Sequence, residues 1–186
     1  MNLLVVAIVA WIFLGLEVGF RSALQLGDQA IAPSFVLVLI VFLGLWARPV
    51  QLLSVAMVLG ALLDLVTLVP AGTESIVVLG PWAMGCTAAA YTVLNFRAMV
   101  FRRNPLAIAF LSTAGALVAN IVALSLLAFR AIYDDLALAG AGAELWQRLA
   151  SSLYTGALSL LLGPVLGALS GILGLKRPMV GLGRRS

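Results

Sequence analysis

The chain has 186 residues, 63% hydrophobic and only 10% charged, with a mean hydropathy of +1.18 and a net charge of +4. A soluble domain carries roughly 25% charged residues, so this composition excludes a water-solvated globule and makes lipid the solvent for most of the surface. The positive charge is read as loop topology, because a nucleic-acid surface needs a basic face with stacking aromatics and the sequence has none.

Cys86 is the only cysteine and histidine is absent. An intrachain disulfide is therefore excluded, as are Cys/His zinc sites and His-based triads. At about 20 residues per span, the length suits one all-α integral membrane domain over residues 1–186, a six-helix transmembrane bundle. No cofactor or metal site is expected.

The first span is 3–20. It has no basic stretch before it and is longer than a signal-peptide core, so it is read as a retained helix. Glu17 lies four residues before Arg21, a spacing that pairs them at the membrane edge. The second span, 31–47, opens with Pro33 in its first turn and ends at Trp46 and Arg48, an interfacial anchor pair. Pro49 then starts the third span, 50–69, so these two spans are expected to form an antiparallel hairpin.

Asp64 lies five residues from the end of the third span, about 7–8 Å along the axis. A carboxylate in a membrane helix is costly, and it is kept where it faces protein, water or a partner. The expected role is structural: capping a neighbouring helix, or holding the Pro70-Ala71-Gly72 turn in one geometry. An Asn that keeps an acceptor is expected to be tolerated there. Thr73 and Ser75 are candidate N-caps for the next helix.

The fourth span is 76–94, with a kink expected at Gly80-Pro81 and a narrow face at Gly85 and Ala88-Ala89-Ala90 for close helix approach. The fifth is 106–129, where Asn120 is expected to bond across helices. The segment 130–148 reads as the longest loop, holding Asp134, Asp135 and Glu144. The sixth span, 149–173, carries Gly156 and then Gly163, Gly167 and Gly171 in a doubled G-x-x-x-G, a close-contact motif. With the N-terminus inside, eight of the 11 basic residues fall in inner segments and three in outer ones, which places both termini in the cytoplasm.

Pro33-Ser-Phe-Val-Leu opening a span, the short turn Trp46-Ala-Arg48-Pro49, then Gly60-Ala-Leu-Leu-Asp64 and Pro70-Ala-Gly72 form an ordered set. In these residues the chain resembles the bacterial rod shape-determining protein family MreD. Ala71 stands where that family usually has Leu, and the 130–148 loop is longer than its usual one. The resemblance implies a multi-pass protein of the bacterial cytoplasmic (inner) membrane with no catalytic residues. It implies a role in cell elongation and peptidoglycan synthesis with an MreC-like protein, the actin-like MreB, a RodA-type glycosyltransferase and a penicillin-binding transpeptidase. The structural or partner-binding residues are then Asp64, Pro70, Gly72, Gly163, Gly167 and Gly171.

Two other functions are weighed. The substrate-binding membrane subunits of vitamin-type small-solute transporters are also six-helix bundles, but they need several convergent polar groups. The intramembrane polar set read here is Glu17, Asp64, Thr87, Tyr91, Asn120 and Tyr154. A lipid-headgroup transferase needs clustered acids or a His or Ser nucleophile. Asp134-Asp135 is the only adjacent acid pair, so neither catalysis nor small-molecule uptake by this chain alone is expected.

Overall fold

The computed structural model describes residues 2–26, 31–71, 74–98, 104–133, 141–169 and 171. It is mostly helical, with six helices. These are α1 (Leu3–Phe20), α2 (Phe35–Trp46), α3 (Pro49–Val66), α4 (Pro81–Phe96), α5 (Pro105–Arg130) and α6 (Ala141–Leu169). A short antiparallel pair, β1 (Leu68–Ala71) and β2 (Glu74–Val77), joins α3 to α4.

The helix α2 is the centre of the bundle. Its sequence Phe-Val-Leu-Val-Leu-Ile-Val-Phe-Leu-Gly-Leu-Trp is apolar all round, and every residue from Phe35 to Leu45 is buried. A helix with no polar face has to be surrounded, and α2 packs against each of the other five helices. Ser34 caps it, its Oγ accepting from the Leu37 N–H at 3.3 Å. It stops at Ala47, because Pro49 disfavours helical backbone at Arg48 and instead becomes the first residue of α3.

At 12 residues, α2 is about 18 Å long, well short of a hydrocarbon core of about 30 Å. The expected full span over 31–47 is thus corrected. The chain does turn at Arg48 into α3, but α2 is a buried strut rather than one arm of an isolated hairpin. Among the described residues, the helical segments long and apolar enough to cross a membrane are Leu3–Phe20, Pro49–Val66, Pro105–Arg130 and Glu144–Leu169. Their outer faces leave Trp11, Val50, Phe110 and Leu161 exposed, the surface that lipid requires.

Three boundaries differ from the expected ones. The helix α3 ends at Val66, not residue 69, and α4 starts at Pro81, not residue 76. The β-branched residues of 66–69 and 76–78 favour extended backbone, and Leu68 pairs with Val77. Gly80, at φ +124°, is the residue before α4. That conformation suits glycine and starts the helix at Pro81, so Gly80-Pro81 marks a beginning rather than a kink. Ser75 lies in β2, and Gly80 stands at the N-cap position of α4. In the third case, α6 begins at Ala141 and takes up much of the expected loop, Glu144 and Arg148 included. These two form an i, i+4 ion pair at 3.0 Å.

The expected narrow face of α4 is present. A Cβ at Gly85 would lie 2.7 Å from the Ala119 carbonyl oxygen, so only glycine lets α4 and α5 approach this closely. Gly156 likewise faces α5, at Thr113 and Ala109. Gly163, Gly167 and Gly171 do not make the same contact: an added Cβ at any of them would meet nothing within 4 Å. The reason is the antiparallel course of α5. Seven residues beyond Gly156, about 10 Å along α6, α5 has already begun at Pro105. Gly72, Thr73, Asp134, Asp135 and the basic tail lie outside the described residues.

Candidate functional site

Asp64 sits near the C-terminal end of α3 and is only 2% exposed. Its carboxylate accepts three backbone N–H groups. Oδ2 takes Gly80 at 2.8 Å and Ala83 at 3.1 Å, and Oδ1 takes Trp82 at 2.9 Å. The first N–H groups of a helix have no partner within it and carry partial positive charge. Asp64 therefore caps α4 from a different helix, one of the two structural roles expected for it. All three of these bonds fall beyond the strand pair, and the other expected role, holding the Pro70–Gly72 turn, falls on Gly72, outside the described residues.

Gly60, one turn before Asp64, makes that reach possible. A Cβ at position 60 would lie 2.4 Å from the Trp82 carbonyl oxygen, 2.6 Å from Ala83 Cα and 2.8 Å from Ala83 N. These are backbone atoms of the helix being capped. The G-x-x-x-D spacing is thus one device, in which Gly60 lets two backbones touch and Asp64 satisfies the donors brought close.

Glu17 repeats the arrangement for α2. Its Oε2 accepts from Phe35 N at 2.6 Å, Val36 N at 3.1 Å and Ser34 Oγ at 3.2 Å. The expected edge pair with Arg21 is therefore not the main duty of this carboxylate. At the opposite end of α2, Arg97 Nη1 donates to the carbonyls of Ala47 at 2.9 Å and Gly44 at 3.5 Å. A buried helix is held by an anion at its positive end and a cation at its negative end, each contributed by another helix.

Asn120 does bond across helices, donating from Nδ2 to Ser152 Oγ at 3.1 Å. Its Oδ1 accepts from Arg148 Nη1 at 3.4 Å. Arg148 also donates from Nε and Nη2 to Glu144 Oε1 at 3.2 and 3.0 Å. Its guanidinium lies 5.9 Å from the centre of the Trp82 ring, so the α6 network reaches the start of α4. Asn120→Leu should cost about 0.6 kcal/mol and at most about 1.7, the range for such bonds within membranes. Unfolding of the purified protein in detergent measures it.

These groups surround a cavity of about 390 Å³ at the N-terminal end of α2. It exists because α2 is short: above its first turn, the longer neighbours α1, α3, α5 and α6 have no central helix to pack on. Glu17, Asp64, Asn120, Gln147, Arg148 and Thr155 all line it. The polar interior is richer than the sequence suggested, and α6 supplies the difference. Ser152, Thr155 and Ser159 are buried, and Thr155 Oγ1 accepts from Ser34 N at 3.0 Å. Ser151 Oγ donates to the Ala32 carbonyl. The signal was legible as Arg148, Ser152, Thr155 and Ser159, spaced three or four apart on one helical face.

The arrangement can hold helices and hydrogen-bond a polar molecule. Among the described residues, no group of three Cys, Asp or Glu side chains is placed to hold a metal ion. Of the described residues assigned a structural or partner-binding role through the resemblance, Asp64 alone lines this cavity, where it is joined by Glu17 and Asn120 of the intramembrane polar set. The backbone of Pro70 lies in β1, and Gly163, Gly167 and Gly171 fall on α6 and just past its end, away from the cavity lining. Comparison of the chain with protein-family models, with curated proteins and with solved structures finds no match. The membrane-bundle class of the protein therefore rests on its composition and its helices.

Proposed function

We propose that this chain is an MreD-like, non-catalytic component of the bacterial cell-elongation machinery, lying in the cytoplasmic membrane. In this reading it assembles with an MreC-like protein and, through it, with a RodA-type glycosyltransferase and a penicillin-binding transpeptidase. The observation that carries the proposal is the Gly60–Asp64 device. The residues on which the resemblance rests form a rigid structural joint, with all three donors on Asp64 being backbone amides. A scaffold needs such a joint, whereas a reaction centre would need a group free to act. The apolar outer faces of α1, α3 and α6 offer surface for partner helices.

Co-expression with an MreC homologue and purification through a tag on that partner tests the proposal. The chain is expected in the complex at a fixed ratio. The variant Gly167→Leu is expected to keep its abundance, because the added side chain points into open space, and to reduce recovery of the complex. Failure of the wild-type chain to co-purify would overturn the proposal.

A second reading is the substrate-binding membrane subunit of a vitamin-type small-solute transporter, favoured by the cavity at α2. It predicts co-purification with ATPase subunits in place of an MreC homologue.

A further inference from the structure

We propose that the cavity at the N-terminal end of α2 binds a small zwitterionic molecule with an apolar body, of the free amino-acid class. This holds whether or not the chain belongs to an elongation complex. A volume of about 390 Å³ lies within the range of small-molecule sites, which are mostly apolar with a few placed polar groups.

The charges around the cavity select the ligand. The starts of α2 and α4, which would otherwise attract an anion, are already matched by Glu17 and Asp64. Glu144 is matched by Arg148. What is left over is bipolar. The three hydrogen bonds to Glu17 all fall on Oε2, which leaves Oε1 as an acceptor beside the cavity. Arg148 has five N–H groups and uses three of them on Glu144 and Asn120, which leaves two donors. Gln147 adds an amide next to them in the lining. The body between is apolar, with Leu37, Leu63 and Leu127 buried around it.

An ammonium group on Glu17 Oε1 and a carboxylate on Arg148 and Gln147 would satisfy both ends without adding net charge. A lone anion would meet three carboxylates against the two guanidinium groups of Arg21 and Arg148, and a lone cation would meet both guanidinium groups and leave the free edge of Arg148 unmatched. Burying either without a counter-charge is costly.

The test uses the full chain in nanodiscs of phosphatidylcholine, with radiolabelled L-phenylalanine and L-leucine in equilibrium dialysis. Phenethylamine and 3-phenylpropionate compete, each keeping the phenylalanine ring and only one charged end. Saturable binding is expected for at least one amino acid, with each one-ended competitor at least about tenfold weaker, the effect of losing a charge-assisted hydrogen bond. Gln147→Leu should weaken binding several-fold without lowering the unfolding temperature, since among the described residues Gln147 makes none of the hydrogen bonds that join the helices. The proposal is overturned if neither amino acid binds saturably, if a one-ended competitor matches the zwitterion, or if Gln147→Leu binds as wild type does.

Discussion

Gly60→Val is expected to remove the folded protein from the membrane, and Gly60→Ala to destabilise it by about 3 kcal/mol or more. Overpacking a well-packed core costs about 1–3 kcal/mol where side chains can shift. Here the atoms within 3 Å of a new Cβ are the Trp82 carbonyl and the Ala83 backbone, and these cannot rotate away. To admit even a methyl group, α3 and α4 must separate, which also draws Asp64 off the N–H groups it caps. Gly15→Ala on α1 is the control. Nothing lies within 4 Å of a Cβ there, and alanine is favoured over glycine within helices by roughly 0.5–1 kcal/mol. Membrane-level abundance and thermal unfolding in detergent, measured for both positions, check the contrast. A Gly60→Ala protein as stable as Gly15→Ala would show that the α3–α4 approach is not tight.

The second large effect is at Asp64, where the structure reverses an expectation drawn from the sequence. An amide that keeps one acceptor seemed sufficient while the partners were unknown. The carboxylate in fact uses both oxygens, Oδ2 for Gly80 and Ala83 and Oδ1 for Trp82. Asparagine offers one oxygen, and its NH₂ group must then face at least one backbone N–H, donor against donor. It also loses the charge that complements the start of α4. Asp64→Asn should therefore cost about 1–3 kcal/mol, the penalty for one stranded buried donor. Asp64→Leu strands three donors and should cost several times as much, enough to prevent accumulation. Unfolding temperature and abundance in the order wild type, Asn, Leu are the expected result. Full stability of Asp64→Asn together with loss of function would point instead to an ionisation-coupled role and would sink the structural account.

Composition alone determined the solvent of this protein, because a chain with 10% charged residues cannot cover itself in water. The apolar runs located the six described helices, and α1 was placed to the residue. Asn120 was legible as an interhelical donor, because a lone amide in an apolar run has few other fates. The close approach at Gly85 was legible for the same reason: small residues in lipid mark contact.

Tertiary structure decided what local pattern leaves open. An apolar run looks alike whether lipid or protein surrounds it, so α2 read as a span until its neighbours were seen to enclose it. The strand pair at 68–77 replaced two helix ends because cross-strand pairing is a contact between segments, invisible to helical periodicity. Glu17 had a sequence-local partner in Arg21, and only the fold brought the start of α2 to it from 18 residues away. The partners of Asp64 lie 16 to 19 residues on, across a turn, and hydrogen-bond partners at that separation are set by packing. The cavity follows from a mismatch in length between α2 and its neighbours, and such a mismatch becomes a physical object only once the helices stand side by side.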